Sequence, residues 1–336
     1  MSTYQQIYGE TIETTASDPS NPTIGQIWYN TTNDILKYRT TVPGSNVWAA
    51  EGNLAQARGT GGGSPAGTDI SALASGGASG PTTFSSSEEY DGTSWTAGGS
   101  LNRSTQRVGF GSFGSQTANA ICGGGNPYTS ATEEYDGTSW TSVNGLPVSK
   151  SYMGSSGTQV AGLISQGYND PDQTDTQPGS QEYDGTNWSA GGNCQQGSYN
   201  HTQFGIQTAA VLVGGYNPST TYLSRAEEYD GSTWTSVNSA PAVFNAAASG
   251  GSQNNGIVAG GSNSTSALSS AFEYDGTNFS VGGSMAATKE GNRASGQSAA
   301  IGTLVFAGSN PSAASATTEL YSAGSPSAAT KTVTGT

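Results

Sequence analysis

The chain has 336 residues, of which 50 are Gly and only 32% are hydrophobic, and it carries a formal charge of −14 at pH 7. So acidic a chain repels phosphate, which argues against nucleic acid as a partner, and no run is long and apolar enough for a membrane-inserted helix. Leu, Ile, Val and Phe number only 44, a fraction typical of disordered chains, yet charged residues are 10% and the aromatics recur on a fixed period that disordered chains lack.

In chain order, the opening "MSTYQQIYGE" has neither the basic nor the apolar region of a signal peptide. If such a chain ends up outside a cell, the expectation is synthesis in the cytoplasm and exit by lysis or an assembly route. The stretch "PTIGQIWYNTTNDILKYRT" predicts a hairpin, Ile24 to Asn30 and Ile35 to Thr40 around a Thr-Thr-Asn-Asp turn. From there the chain repeats. "EEYDGTSW" stands at 88–95 and again at 133–140, followed by "QEYDGTNW", "EEYDGSTW", "FEYDGTNF" and a last fragment, "TELYSAG". The six tyrosines, Tyr90, Tyr135, Tyr183, Tyr229, Tyr274 and Tyr321, are 45, 48, 46, 45 and 47 residues apart. Of the 24 acidic residues, 14 lie in these copies, so the acidity follows the repeat.

Within residues 101–144, "RVGFGSFG", "TANAICGGG", "SATEEYDG" and "SWTSVNG" read as four short strands, the last two joined by a tight Asp136-Gly137 hairpin. Four-stranded units of about 45 residues, repeated, are the blades of a β-propeller. The octet is then a blade's outer hairpin. Its aromatics, Tyr90 with Trp95, Tyr135 with Trp140, Tyr183 with Trp188, Tyr229 with Trp234 and Tyr274 with Phe279, are wedges between blades. Six residues after each fourth-strand aromatic stand Leu101, Leu146, Cys194, Ala240 and Met285, and Trp48 with Leu54 obeys the same rule. Trp48 is thus a fourth-strand residue without a blade, and Tyr321 a third-strand residue without a Trp. The expected fold is all-β: six four-stranded blades over residues 46–323, closed by the N-terminal strand, with an attachment or capping segment at 1–45 and a tail at 324–336.

The glycine pair Gly123-Gly124 followed by Tyr135 and Trp140, and its counterparts at Gly214, Gly215, Tyr229 and Trp234 and at Gly260, Gly261 and Tyr274, resemble kelch repeats. The likeness covers roughly residues 54–323. Tyr and Trp are closer together than that pattern expects, and the third copy has "SQG" for its glycine pair. "GQIWYN" followed by "LK" resembles a small module of bacteriophage tail and tail-fibre proteins. Together these resemblances imply a virion protein, joined through its N-terminal segment to other tail proteins and contacting a host surface, a glycan or another receptor. The rival readings are a purely structural tail or capsid decoration protein and a glycan depolymerase. A homo-oligomer is compatible with all three.

The residues that enzymes on such folds require are absent or scattered. With His201 as the single histidine, a copper oxidase and a Ser-His-Asp triad lack ligands and base. The six arginines, at 39, 58, 103, 107, 225 and 293, form no sequence cluster for a substrate carboxylate. Glu88 and Glu89, adjacent on a strand, point to opposite faces and read as solvated or turn-bonded rather than as a glycosidase pair. Asp170, Asp172 and Asp175 do not match a calcium loop and read as an exposed acidic turn. Cys122 and Cys194 are non-equivalent and are expected unpaired, with Cys122 buried. No cofactor or metal is expected.

Function is expected on one face. The turns "GSQT", "GTQV" and "GIQT" and the Asp-Gly turns agree between repeats, whereas the connections after the second strand vary in length and carry tyrosines. The candidate receptor-binding residues are Tyr128, Tyr168, Asn169, Asp170, Tyr216 and Tyr222 on that variable face.

Overall fold

The structure, a computed structural model, describes residues 6–7, 10–42, 46–102, 109–125, 128–169, 176–219, 221–298, 302–310, 313–323 and 327–333. It divides into two compact units, Met1–Asn46 with Ala323–Thr336, and Val47–Ser322.

In the first unit, Ile27–Asn30 pairs antiparallel with Ile35–Val42, Asn30 opposite Ile35, so the turn is Thr31 to Asp34 as expected. Asn30 directs it: its side-chain oxygen accepts the amides of Thr32 at 3.1 Å and Asn33 at 3.2 Å. Glu13–Thr15 lies parallel to the first of these strands. Residues 324–336, expected as a tail, instead contribute the strand Ser327–Thr332, antiparallel to Ile35–Val42. The long hairpin strand has an open edge of unpaired amides and carbonyls, and the C-terminal strand satisfies it. Trp28 is fully buried and donates its indole proton to Asp18 at 3.1 Å; Asn30 and Lys37 donate to the same carboxylate at 2.8 and 2.5 Å. Those bonds, that from Lys37 foremost, lower the Asp18 pKa to about 2.

The second unit is all-β among its described residues, with no helix, and its sheets follow the repeat. The first has three strands, Ala72–Ser75, Ser87–Tyr90 and Trp95–Ala97. Four-stranded sheets follow: Gly111–Gly114 to Trp140–Val143, Gly154–Thr158 to Trp188–Asn193, Thr202–Ile206 to Trp234–Val237, and Ala248–Ser252 to Phe279–Val281. The sixth joins Arg293–Ser298, Gly302–Phe306 and Thr318–Ser322 to Val47–Glu51 from the other end of the chain, with Tyr321 opposite Trp48. The arrangement is propeller-like. Two details depart from expectation. The first sheet lacks a regular innermost strand, because "RGTGGGSPAG" makes only isolated bridges such as Gly62 with Ser75; glycines and Pro65 do not sustain a ladder. The outer hairpins close with four residues, not two: Tyr135 pairs with Trp140, and Asp136 accepts the amides of Thr138 and Ser139, both at 2.8 Å, with Gly137 at φ +89°.

Neighbouring sheets are joined by contacts repeated at every junction. All six tyrosines are buried, and each phenol donates to a glutamate of the preceding sheet: Tyr135 to Glu89 at 2.5 Å, Tyr183 to Glu134 at 2.9 Å, Tyr229 to Glu182 at 2.5 Å, Tyr274 to Glu228 at 2.8 Å and Tyr321 to Glu273 at 2.5 Å. At the remaining junction Leu320 holds the glutamate position, and Glu51 of the N-terminal strand accepts from Tyr90 at 3.0 Å instead. The indoles of Trp95, Trp140, Trp188 and Trp234 donate to Thr318, Ser87, Thr132 and Ser180 of the preceding sheet. Each Tyr lies against its own Trp or Phe at centroid distances of 4.5–5.2 Å. Trp95, Trp140 and Trp234 are buried, whereas Trp48, Trp188 and Phe279 are half-buried, so the tyrosines are the more uniform wedge. On the face of the uniform turns, Gln116, Gln159, Gln207 and Gln253 each donate to two carbonyls of the preceding sheet, Gln159 to those of Asn119 and Tyr135.

The paired glutamates are structural and are not solvated as expected. Glu88, Glu133, Glu227 and Glu319 are buried and accept the amides of Ala55, Asn102, Gln195 and Ala286, the residues just after Leu54, Leu101, Cys194 and Met285. Where that next residue is proline, Pro147 or Pro241, there is no amide to bind, and the glutamate position holds Gln181 or Phe272.

Burial, then the neighbouring carboxylate, raises the phenol pKa values: Tyr90 and Tyr135 are pushed up to about 12, and Tyr183, Tyr274 and Tyr321 are raised as well. Tyr229 is likewise pushed up to about 12, by burial and then the bond to Glu182. A phenol whose folded pKa is raised contributes stability that is full below its ordinary pKa of about 10 and is lost as pH rises through the folded value. The denaturation midpoint should therefore hold up to about pH 10 and fall steeply above it. Tyrosinate absorbance at about pH 10 that accounts for all 16 tyrosines in the still-folded protein would contradict these contacts.

Candidate functional site

Six residues immediately before the innermost segments share the left-handed conformation: Thr60 (φ 53°), Gly109 (62°), Tyr152 (56°), Asn200 (53°), Ala246 (52°) and Gly291 (62°). Four are not glycine, and a non-glycine residue is uncommon there unless its surroundings hold it. What holds them is a cycle of backbone bonds. The amide of Gly109 donates to Thr60, Tyr152 to Gly109, Asn200 to Tyr152 at 2.9 Å, Ala246 to Asn200 at 2.7 Å, Gly291 to Ala246 at 2.7 Å, and Thr60 back to Gly291 at 3.2 Å.

Within this cycle lies a cavity of about 370 Å³, lined by the six residues and by Tyr222, Ser262 and Ser309 from the variable connections. Its walls also include His201, Asn245, Glu290 and Arg293. The volume is that of a small-molecule site. His201 is a structural base: its Nε2 accepts the Gly154 amide at 3.1 Å and lies 2.8 Å from Ser165 Oγ, and burial, aided by Arg225 and Lys150, lowers its pKa to about 3. It is thus neutral at pH 7, with its proton on Nδ1. A lowered histidine pKa contributes stability that is full above the ordinary value of about 6.5 and lost as pH falls toward 3. The His201→Gln variant should accordingly show a flatter stability profile between about pH 6.5 and 4 than the parent in denaturant titrations. An equal slope would remove His201 as the cause.

Beside the cavity, tyrosines from the variable connections and from the segments between sheets form a run. Tyr168 and Tyr199 lie 4.1 Å apart by ring centroid, Tyr199 and Tyr216 5.3 Å, Tyr216 and Tyr222 5.1 Å, and Tyr152 is 6.4 Å from both Tyr168 and Tyr199. The connection that ends in this run folds back as a ribbon, Tyr216–Asn217 against Thr221–Tyr222.

The sequence candidates divide on this geometry. Tyr222 lines the cavity, Tyr216 is half-buried beside it, and Tyr128 and Asn169 are half-buried outside the cavity wall. Tyr168 is 1% exposed and hydrogen-bonded to Tyr199, so it supports the cluster and does not present a ring to solvent. The rings of Tyr152 and Tyr199 cover it. Asp170, Asp172 and Asp175 lie outside the described residues; among the described residues no His, Cys, Asp and Glu gather as a metal site. Both cysteines are buried, and neither is in a disulfide. Sequence reasoning missed Tyr152, Tyr199, Asn200, Asn245, Glu290 and Arg293. One signal was available: Thr60, Tyr152, Asn200, Ala246 and Gly291 each stand six residues after Leu54, Leu146, Cys194, Ala240 and Met285, continuing the six-residue rule one step.

No protein-family model matches the chain, and no curated protein matches it in sequence. Among solved structures it is similar to YjhT, with a TM-score of 0.69 and 11% identity, over 84% of this chain and 99% of that one. At that identity the likeness concerns the fold alone.

Proposed function

We propose that the second unit is a closed, six-bladed, kelch-like β-propeller and that the protein is a non-enzymatic component of a bacteriophage virion. In this reading it is a tail-fibre-like or appendage propeller whose variable face contacts a host-surface glycan, and its N-terminal segment attaches it to other tail proteins. The ring is supported by the amide cycle through Thr60, Gly109, Tyr152, Asn200, Ala246 and Gly291 and by the Tyr90–Glu51 bond at the junction of the chain ends. The virion reading rests on the "GQIWYN" resemblance. The observation that carries the binding role is the contrast between faces: repeated glutamine bonds on one, and on the other a polar cavity bordered by half-buried tyrosines. Tyrosine rings with nearby amides and hydroxyls suit sugar stacking and hydrogen bonding.

The test uses Tyr216→Ala with Tyr222→Ala on the assembled particle. Melting temperature and particle assembly should stay close to the parent, while adsorption to host cells falls at least about tenfold, because many weak sites act together. Adsorption at the parental rate would favour the structural reading, and shortening of the host polysaccharide on incubation would favour the depolymerase.

A further inference from the structure

The cavity contains a cation that the fold leaves unneutralised. Elsewhere in the second unit three cations have carboxylates, Arg58 with Glu88 at 2.6 Å, Arg225 with Glu227, and Lys289 with Glu319 at 3.6 Å, while the buried Lys150, outside the cavity wall, donates to the Gly179 carbonyl at 3.3 Å. Arg293 lines the cavity, and among the described residues no carboxylate pairs with it. Its Nε donates to the Gly61 carbonyl and its Nη1 to the Asn292 carbonyl at 2.9 Å, which orients the guanidinium plane and, among the described residues, leaves Nη2 without a hydrogen-bond acceptor. Burial lowers its pKa only to about 10, so it is charged at neutral pH.

We propose that this cavity binds a small hydroxylated carboxylate, a uronic acid unit of a surface polysaccharide, with its carboxylate on Arg293 and its hydroxyls within reach of Glu290, Asn200 and Asn245. A guanidinium held in one plane recognises a carboxylate in particular. A phosphate dianion fits less well, because the site has one guanidinium, shares its wall with Glu290, and belongs to a chain of charge −14. A neutral sugar would leave the half-buried guanidinium without a counter-charge, which the carboxylate supplies. Glu290 can only accept, so it selects hydroxyl donors over a second anionic group. The inference refines the reading of the variable face as a binding face and names the chemistry of one subsite within it.

The experiment is calorimetric titration of the full chain with D-galacturonate, D-galactose and inorganic phosphate. Galacturonate should bind at least about tenfold more tightly than either of the others, and more weakly as salt is raised. Arg293→Lys, which keeps the charge but not the fork, should weaken galacturonate about tenfold with little change in melting temperature. Arg293→Gln should abolish the preference over galactose. If the Gln variant does not fold, the Lys variant and the salt series decide. Equal binding of galactose, tighter binding of phosphate, or galacturonate binding indifferent to Arg293→Lys overturns the proposal. Absence of galacturonate binding by a chain that still retains immobilised host polysaccharide would overturn this inference alone. Galacturonate binding without polysaccharide retention would overturn the host-contact reading alone.

Discussion

Replacing Trp140 with Ala is expected to lower stability by about 3–5 kcal/mol, the range for large aromatic truncations in cores. Trp140 is 4% exposed, stacks on Tyr135 with centroids 4.9 Å apart, and shares a cluster with Leu73, Leu101, Phe110 and Ile121. Leu73 belongs to the preceding sheet, so the indole joins two sheets. Its Nε1–H also donates to Ser87 Oγ of that sheet at 3.0 Å, and truncation leaves the hydroxyl without this partner. The half-buried Trp188 offers the comparison: it keeps the stack on Tyr183 at 4.8 Å and the bond to Thr132 at 3.2 Å but exposes more of its surface. Trp188→Ala should cost about half as much, because less apolar area is removed from the interior. Denaturant midpoints for the two variants and the parent measure both effects. A Trp140→Ala midpoint indistinguishable from the parent would mean that the sheets do not depend on this wedge.

The repeat made the sheets legible because the same physical problem is solved six times. A buried phenol needs an acceptor and a buried indole needs a partner, so Tyr, Glu, Trp and Ser or Thr recur together. The seam was legible for a related reason: Trp48 and Tyr321 each lacked the partner that every other copy has, and they lie opposite one another. The turn at Asn30 could also be read locally. The strand Ser327–Thr332 could not. Its sequence, small and polar, becomes a strand only because an open edge is there to meet it, and that edge is far away in the chain. Tyr168 was misjudged for the same reason. Its position in a variable connection suggested exposure, and only the approach of Tyr152 and Tyr199 from other connections buries it. Arg293 carries no sequence mark at all, since what distinguishes it from Arg58 is the absence of a carboxylate across a junction. The glutamate positions held by Gln181 and Phe272, by contrast, could have been paired with Pro147 and Pro241 from sequence alone.

Removing the strand Val47–Glu51 should destabilise the second unit more than any single substitution considered above. The strand makes five register pairs with Thr318–Ser322, from Thr318 opposite Glu51 to Ser322 opposite Val47. It also supplies the Glu51 acceptor for Tyr90 at 3.0 Å and the Trp48 indole, which donates to the Gly283 carbonyl at 2.9 Å. Without it the third strand of the sixth sheet becomes an open edge, the buried Tyr321 loses its ring partner at 5.2 Å, and the phenol of Tyr90 faces Leu320 in place of a carboxylate. Two truncations separate this effect from loss of the first unit. A chain of residues 47–322 retains the strand and should unfold cooperatively near the parental temperature. A chain of residues 52–322 lacks only the strand in addition, and its melting temperature should fall by roughly 10 °C or more, with concentration-dependent association through the exposed edge. Adding a synthetic peptide of residues 46–52 should restore part of the loss by pairing with that edge, as strand addition does elsewhere. If the two truncated chains melt together, the N-terminal strand is an accessory to a unit that folds without it.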